Sequence, residues 1–382
     1  MVVFHSSIFY FDFKAFINAT WSNFKRFKLS LVLTAIVVTV VFGLLNFVIV
    51  LFRLLDEVFF FGYRKTKIEK PVFIISNPRS GTTYLHRLMT LDDDRFVYFL
   101  LYQTLGNSIL FNKLINFVGK IDKRIGRPMR KFFDWTDSVF FKGWKNIHPM
   151  GWNQSEEDEA PFAFSFSSPA IGMVFPYLKT YDWVNFPDKC CPDKARKLMG
   201  FYKNSVQRFM FSEGNGKTFL SKNVLSTGRI KLLLEFFPDA CIIYPVRHPY
   251  QAIPSFISMF TKPWKALYQF IPEDSYEYRQ WADLAIKYYQ YFYQVSKEIP
   301  EAQFYTVSYD ELISNAGNVI HQIYYHFGLE MNPNFKNRLI EKTQRSRSYK
   351  SKHNYSMKLY GLSKQKVFEQ LKPVFEKYDF KP

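Results

Sequence analysis

The sequence predicts an α/β fold: a parallel β-sheet flanked by helices, built around a P-loop-like turn and preceded by a transmembrane helix. Three observations lead there. Residues Leu29 to Phe52 run for 24 positions without a charge. The stretch "PVFIISNPRSGTTYLHRLMTL", from Pro71, reads as strand, turn, helix. Further short apolar runs, "KTFLS", "ACIIYPV" and "AQFYTVS", then alternate with helical stretches, as in sheets whose parallel strands are joined by crossover helices.

Bulk properties narrow the function classes. With 382 residues, 48% of them hydrophobic, the chain can bury the core of one large domain with extras or of two modest ones. A formal net charge of +18 favours anionic partners: phosphorylated cofactors, acidic lipids or nucleic acid. No zinc spacing, RNA-binding aromatic signature or heptad-linked basic region accompanies the charge, so nucleic acid is not expected. Cys190, Cys191 and Cys241 are odd in number and two are adjacent, which is no disulfide framework and suits a reducing compartment. Asn-x-Ser/Thr triplets at Asn18, Asn153 and Asn354 are as many as chance supplies.

Residues 1–28 form an N-terminal tail. The uncharged run at 29–52, "LSLVLTAIVVTVVFGLLNFVIVLF", is bounded by Lys28 and Arg53. At ~1.5 Å per residue it is long enough for a hydrocarbon core of roughly 30 Å. A signal peptide would have a shorter n-region and a small-residue cleavage site; a helix lying shallowly or re-entering stays open. Lys25, Arg26 and Lys28 precede it, while Arg53, Arg64, Lys65, Lys67 and Lys70 follow. The balance of positive charge leans towards a cytosolic domain on the C-terminal side.

A domain is expected over 70–382. "PVFIIS" is β-branched and apolar, suited to a buried parallel strand. In the turn "NPRSGTT", Gly81 permits close backbone approach to an anion, and Thr82 and Thr83 add hydroxyls at the helix start. Ser80 lies in the same turn, and Arg79 offers a charged planar fork. The nucleotide-hydrolase loop would need an earlier Gly and a Lys where Thr82 stands. No strand-end Asp is placed to hold Mg²⁺, so the loop reads as a phosphate holder that needs no metal. The next strand ends in "SKN", with Lys222. "ACIIYPV" ends at Arg247, and Ser255 follows eight residues later in a helix, so a charged clamp and a hydroxyl can converge on one phosphate at the strand ends. "AQFYTVSYDELI" supplies a last strand and a helix starting near Asp310.

Together these segments resemble the sulfotransferases that use 3′-phosphoadenosine 5′-phosphosulfate (PAPS). "NPRSGTTYLHRLM" resembles the loop for the 5′-phosphosulfate, and "YPVRHPYQAIPSF" the 3′-phosphate site. "SKN" resembles the K-[ND]-P turn, with Val224 in place of its proline. "VSYDELI" resembles a late strand–helix junction, with Asp310 for the usual Glu. "SKHNYSMKLYGLS" is similar to a C-terminal stretch of the large bacterial and lower-eukaryotic branch. The resemblance covers about residues 70–366 and implies the sulfotransferase fold. It further implies PAPS as donor without a metal, Arg79 to Thr83 around the phosphosulfate, Arg247 and Ser255 on the 3′-phosphate, and Lys222 on the leaving oxygen.

An acceptor hydroxyl also needs a base. "HPMGWNQSEEDEAPF" holds His148 and the acids Glu156 to Glu159, and relatives carry an acidic segment in this interval. A crowded carboxylate can gain a raised pKa, and Glu157 is the choice; His353 is a further candidate. Where another branch of relatives carries a Glu, this chain has Gln103, which cannot act as a base. The basic stretch Glu341–Lys366 either closes over the anionic cofactor or forms a solvated tail.

The acceptor site is expected in an insert at about 96–216. There "APFAFSFSSPAIGMVFPYL" suits either a pocket for a greasy alcohol or core packing. Beside a membrane helix it points to a sterol or other lipid, with carbohydrate as the rival. A P-loop kinase or NTPase and a non-catalytic, membrane-tethered binding protein are the readings of another class.

Overall fold

The structure is a computed structural model that describes residues 8–140, 151–178, 182–346 and 356–382. Five parallel strands form one sheet in the order β2-β3-β1-β4-β5. They are β1 (Val72–Ile74), β2 (Phe96–Val97), β3 (Thr218–Lys222), β4 (Cys241–Val246) and β5 (Phe304–Ser308). β1 lies between β3 and β4, and Ile74 faces both Lys222 and Ile243 across the ladders. That register ends β1 and β3 level, at Ile74 and Lys222, while β4 runs three residues further, from Ile243 to Val246.

Alternate strand residues feed two cores. Phe73, Ile75, Phe219, Ile242 and Tyr244 pack with the long helices Pro192–Glu213 and Tyr276–Val295 on one face. Val72, Ile74, Leu220, Ile243 and Val307 pack on the other face, with Leu85 and Leu88 of α3 (Thr82–Met89) and the helix Ala316–His326. The central strands are covered on both sides, which explains their unbroken apolar runs. β2 went unforeseen. It is two residues long, starts where the expected insert starts, and pairs with Thr218 and Phe219 at the sheet edge.

Before the sheet come α1 (Phe13–Phe24) and α2 (Leu29–Phe59). α2 is the one helix among the described residues long and apolar enough to cross a membrane. It continues seven residues past the apolar run because Arg53, read as a flanking charge, and Asp56 are fully buried and bonded. It is also not a free-standing rod. Leu31, Ala35, Val38 and Ile49 are buried, Phe42 meets the rings of Phe164 and Phe166, and Asn46 donates to the Phe164 carbonyl at 3.2 Å. The opposite face, including Val37, Val40, Leu44, Phe47 and Leu51, is exposed.

After β2 follow α4 (Leu101–Gly106), α5 (Ile109–Arg124) and α6 (Pro128–Phe140). α5 packs on α2 and on Pro192–Glu213.

Candidate active site

β1 hands over to the turn Ser76–Gly81, which its neighbours fix in place. Asn77 donates to the Ala285 carbonyl at 3.2 Å and accepts from the Tyr244 hydroxyl, while Thr227 donates to the Ser76 carbonyl. Gly81 has φ +85°, and a Cβ there would come within 3.1 Å of the Leu312 and Tyr309 side chains. Glycine thus meets both the left-handed backbone and the close approach of the helix Tyr309–Ser314. Arg79 also takes a positive φ, 72°. The Ser80 hydroxyl is fully buried and makes no hydrogen bond with any of the described residues. An unmatched buried hydroxyl at the start of α3 is what an anion cradle needs.

Three cations from three strand ends converge on this turn. Arg79 Nε donates to Ser255 Oγ at 3.0 Å, and Arg247 donates to the Arg79 carbonyl at 3.0 Å. Arg247 also bonds Gln251, lies 4.2 Å over the Tyr309 ring, and is held from behind by the Tyr289 hydroxyl on its carbonyl. Lys222, buried, donates to Thr83 Oγ1 at 3.3 Å and sits 3.4 Å from Glu157 Oε1. Thus Arg79, Arg247 and Ser255 gather at one end of the turn, and Thr83, Lys222 and Glu157 at the other. Ser80, Gly81 and Thr82 lie between them. Among the described residues no group of three His, Cys, Asp or Glu side chains is gathered as metal ligands would be.

The acidic segment is sorted by burial. Asp158 accepts from the Tyr202 hydroxyl and, at 2.8 Å, from Ser221. Burial pushes its carboxyl up to about 6. Glu159 is clamped by Arg229 at 2.7 and 3.1 Å and by Asn223 at 2.6 Å. Glu156 is buried and its amide bonds the Phe99 carbonyl. Glu157, partly exposed, faces Lys222. A solvated acidic loop is therefore not what this segment is. Gln103 caps α4 instead, accepting from the Leu100 amide at 2.9 Å. His148, His353 and part of the C-terminal motif and basic stretch lie outside the described residues.

Sequence reasoning missed several supports. His86, one turn beyond Thr83, is fully buried with neither ring nitrogen in a well-formed hydrogen bond. Its basicity is lowered by burial first and by the nearby Lys222 charge second. A single His among Leu85, Leu88 and Met89 gives no signal. Arg229 and Tyr202 were hidden because their partners lie far off in sequence. Tyr309 was visible, since it sits inside "VSYDELI".

An apolar cavity of about 780 Å³ lies between α2 and the α4–α6 unit, reaching Trp152 and Asn153. The segment Ala160–Leu178, one expected pocket lining, is not part of its wall. Phe162 packs in the main core, while Phe166, Ile171 and Phe175 receive α1 and α2.

Residues 71–333 match the sulfotransferase family. Among curated proteins the chain is similar to omega-hydroxy-beta-dihydromenaquinone-9 sulfotransferase Stf3 of Mycobacterium bovis and of Mycobacterium tuberculosis. It is 26% identical to each over 269 residues, 68% of this chain. The match spans 63% of the length of those relatives. Among solved structures, sulfotransferase STF9 from Mycobacterium avium is similar with a TM-score of 0.72, over 92% of this chain and 86% of that one, at 15% identity. Sulfotransferase STF1 from Mycobacterium tuberculosis H37Rv gives 0.63, over 94% and 91%, at 18% identity. At such identities the two structures speak for the fold.

Proposed function

The chain belongs to the sulfotransferase family, and from that premise we propose that it transfers a sulfuryl group from PAPS to the hydroxyl of a hydrophobic, membrane-borne alcohol. The convergence of Arg79, Lys222 and Arg247 from three adjacent strand ends, with the unmatched Ser80 hydroxyl between them, carries this reading. Ser80, Gly81, Thr82 and Thr83 would hold the 5′-phosphosulfate with backbone amides and hydroxyls. Arg247 and Ser255 would hold the 3′-phosphate, with Arg79 bridging the two groups. PAPS, when bound, supplies an activated sulfuryl group and its phosphate leaving group.

The protein's own residues do the rest. Lys222, desolvated at the end of β3, stabilises negative charge on the leaving side, where a buried ammonium acts more strongly than in water. Glu157 accepts the proton of the acceptor hydroxyl. The ion pair between them keeps both side chains pointing at one place. Asp158 and Glu159, locked into β3 and its following turn, keep the Glu157 backbone from moving away.

A lipid acceptor is favoured over carbohydrate by the apolar cavity, by α2, and by the relative named for a sulfotransferase acting on a menaquinone derivative. α2 would hold the protein to the membrane by its exposed apolar face, with the catalytic domain in the cytosol. The reading is tested by binding of adenosine 3′,5′-bisphosphate to the purified protein without metal. Micromolar-range binding is expected, weakened at least about a hundredfold in Arg247→Ala, as for loss of a buried charge-assisted contact. No binding to well-folded protein sinks the assignment, and Mg²⁺-dependent ATP turnover would favour a kinase or NTPase instead.

A further inference from the structure

We infer that the cavity between α2 and the α4–α6 unit is the binding site for the apolar chain of the acceptor, loaded from the lipid phase. This rests on the sulfuryl-transfer reading above and adds where the substrate's tail goes. The cavity volume, about 780 Å³, lies within the ~300–1,000 Å³ of pockets that enclose a small organic ligand. Its walls are Val48 and Phe52 of α2, Leu105 of α4, Phe111 and Ile115 of α5, and Phe133 of α6.

Three further observations identify the occupant. First, one wall is α2, whose outer face is itself apolar and exposed, and α5 and α6 expose Phe117, Ile121, Phe132 and Trp135 beside it. Both sides of the cavity therefore present surfaces that would sit in lipid. Second, Lys120, Lys123, Arg127 and Arg130 stand on its border, and a basic rim suits the anionic headgroup layer. Asp122, on the same border, is occupied in capping the Met129 and Arg130 amides. Third, the cavity wall lies close along the chain to the candidate active site. Trp152 and Asn153 line it, Gln154 bonds Arg87 of α3 at 2.7 Å, and Glu157 follows. The four steps along the chain from Asn153 to Glu157 span at most ~14 Å. A long-chain alcohol seated in the cavity can reach Glu157 with its hydroxyl end.

The site can be filled without harming the fold. Gly119 lines the cavity inside α5, and a Cβ there meets nothing within 4 Å. Gly119→Trp should occupy the space, and loss of a mid-helix glycine favours the helix. The test is photo-crosslinking of the full-length protein, in phosphatidylcholine–phosphatidylglycerol vesicles, with hexadecanol carrying a chain-end diazirine. Label is mapped by mass spectrometry, and adenosine 3′,5′-bisphosphate binding is measured on the same samples. The inference expects label on Phe111, Phe133 or Trp152, reduced at least about tenfold in Gly119→Trp through the steric clash, with bisphosphate binding retained. Label confined to the outward faces of α1 and α2, and indifferent to Gly119→Trp, overturns it while leaving the sulfotransferase reading standing. Cavity labelling in a protein that fails to bind the bisphosphate overturns it as an acceptor site, because the reading beneath it has then failed.

Discussion

Four consecutive acids, Glu156 to Glu159, meet different surroundings, and that sorting decides which can act. Glu157 alone lies within ion-pair distance of Lys222. Glu157→Gln keeps its size and removes the proposed proton acceptor, so kcat should fall by roughly 10²–10⁴-fold while bisphosphate binding stays within about twofold; unchanged turnover would reassign the base. Asp158 makes stability depend on pH. Its carboxyl is pushed up to about 6 by burial, whereas in the unfolded chain it ionises near ~3.9. The unfolded state therefore loses its proton first, and folding stability drains away as pH rises from about 4 to about 6. Asp158→Asn removes that titration and keeps an acceptor for Tyr202 and Ser221. The variant's advantage over the parent should open across this window towards an order of 2–3 kcal/mol, read as the difference in urea midpoints. An offset constant with pH would disprove the account. The difference is the right quantity, because buried His86 contributes in the opposite sense: its basicity is lowered in the fold, so stability is lost as pH falls below the ordinary histidine range. At this scale the charges gathered around the turn were legible, since a Lys or Arg at or just after the end of an apolar strand is conspicuous. His86, Arg229 and Tyr202 were not, since the roles of Arg229 and Tyr202 come from partners 70 and 44 residues away and that of His86 from burial that only the fold creates.

Helices and strands obeyed their local patterns where the sheet is central and departed from them where charges find distant partners. β1, β3, β4 and β5 stand close to their apolar runs, since strands buried on both faces need such runs. α2 runs on beyond the apolar stretch because Asp56 is a buried partner. Its carboxylate accepts from the Ile109 and Leu110 amides and from Ser108, capping the start of α5, and pairs with Arg208 at 2.7 Å. Arg53 reaches Asn204 and Ser205 of the same long helix, and Tyr63 closes the group. Asp56→Ala leaves Arg208 buried without this carboxylate and uncaps α5. It should cost about 3–5 kcal/mol in chemical denaturation, with Asp56→Asn losing less; a loss under about 1 kcal/mol would mean the network is relaxed by water.

For the molecule as a whole, the order β2-β3-β1-β4-β5 sets Lys222, which ends β3, and Arg247, which follows β4, on either side of the turn after β1, and the helices α2 and α4–α6 add an apolar cavity that reaches Trp152 and Asn153. Composition anticipated both halves: the basic surplus and the uncharged run. It did not anticipate that the run lies along the domain, because a hydropathy pattern records what a helix avoids and says nothing of what it rests against. The packing of α2 on the domain from Leu31 to Asp56 has a kinetic corollary. With α2 forming one wall of the cavity, an acceptor held there as proposed would arrive by diffusion within the lipid sheet, and its effective concentration would be a mole fraction. Spreading a fixed amount of acceptor through more inert lipid would then slow the enzyme even though nothing in the aqueous phase has changed.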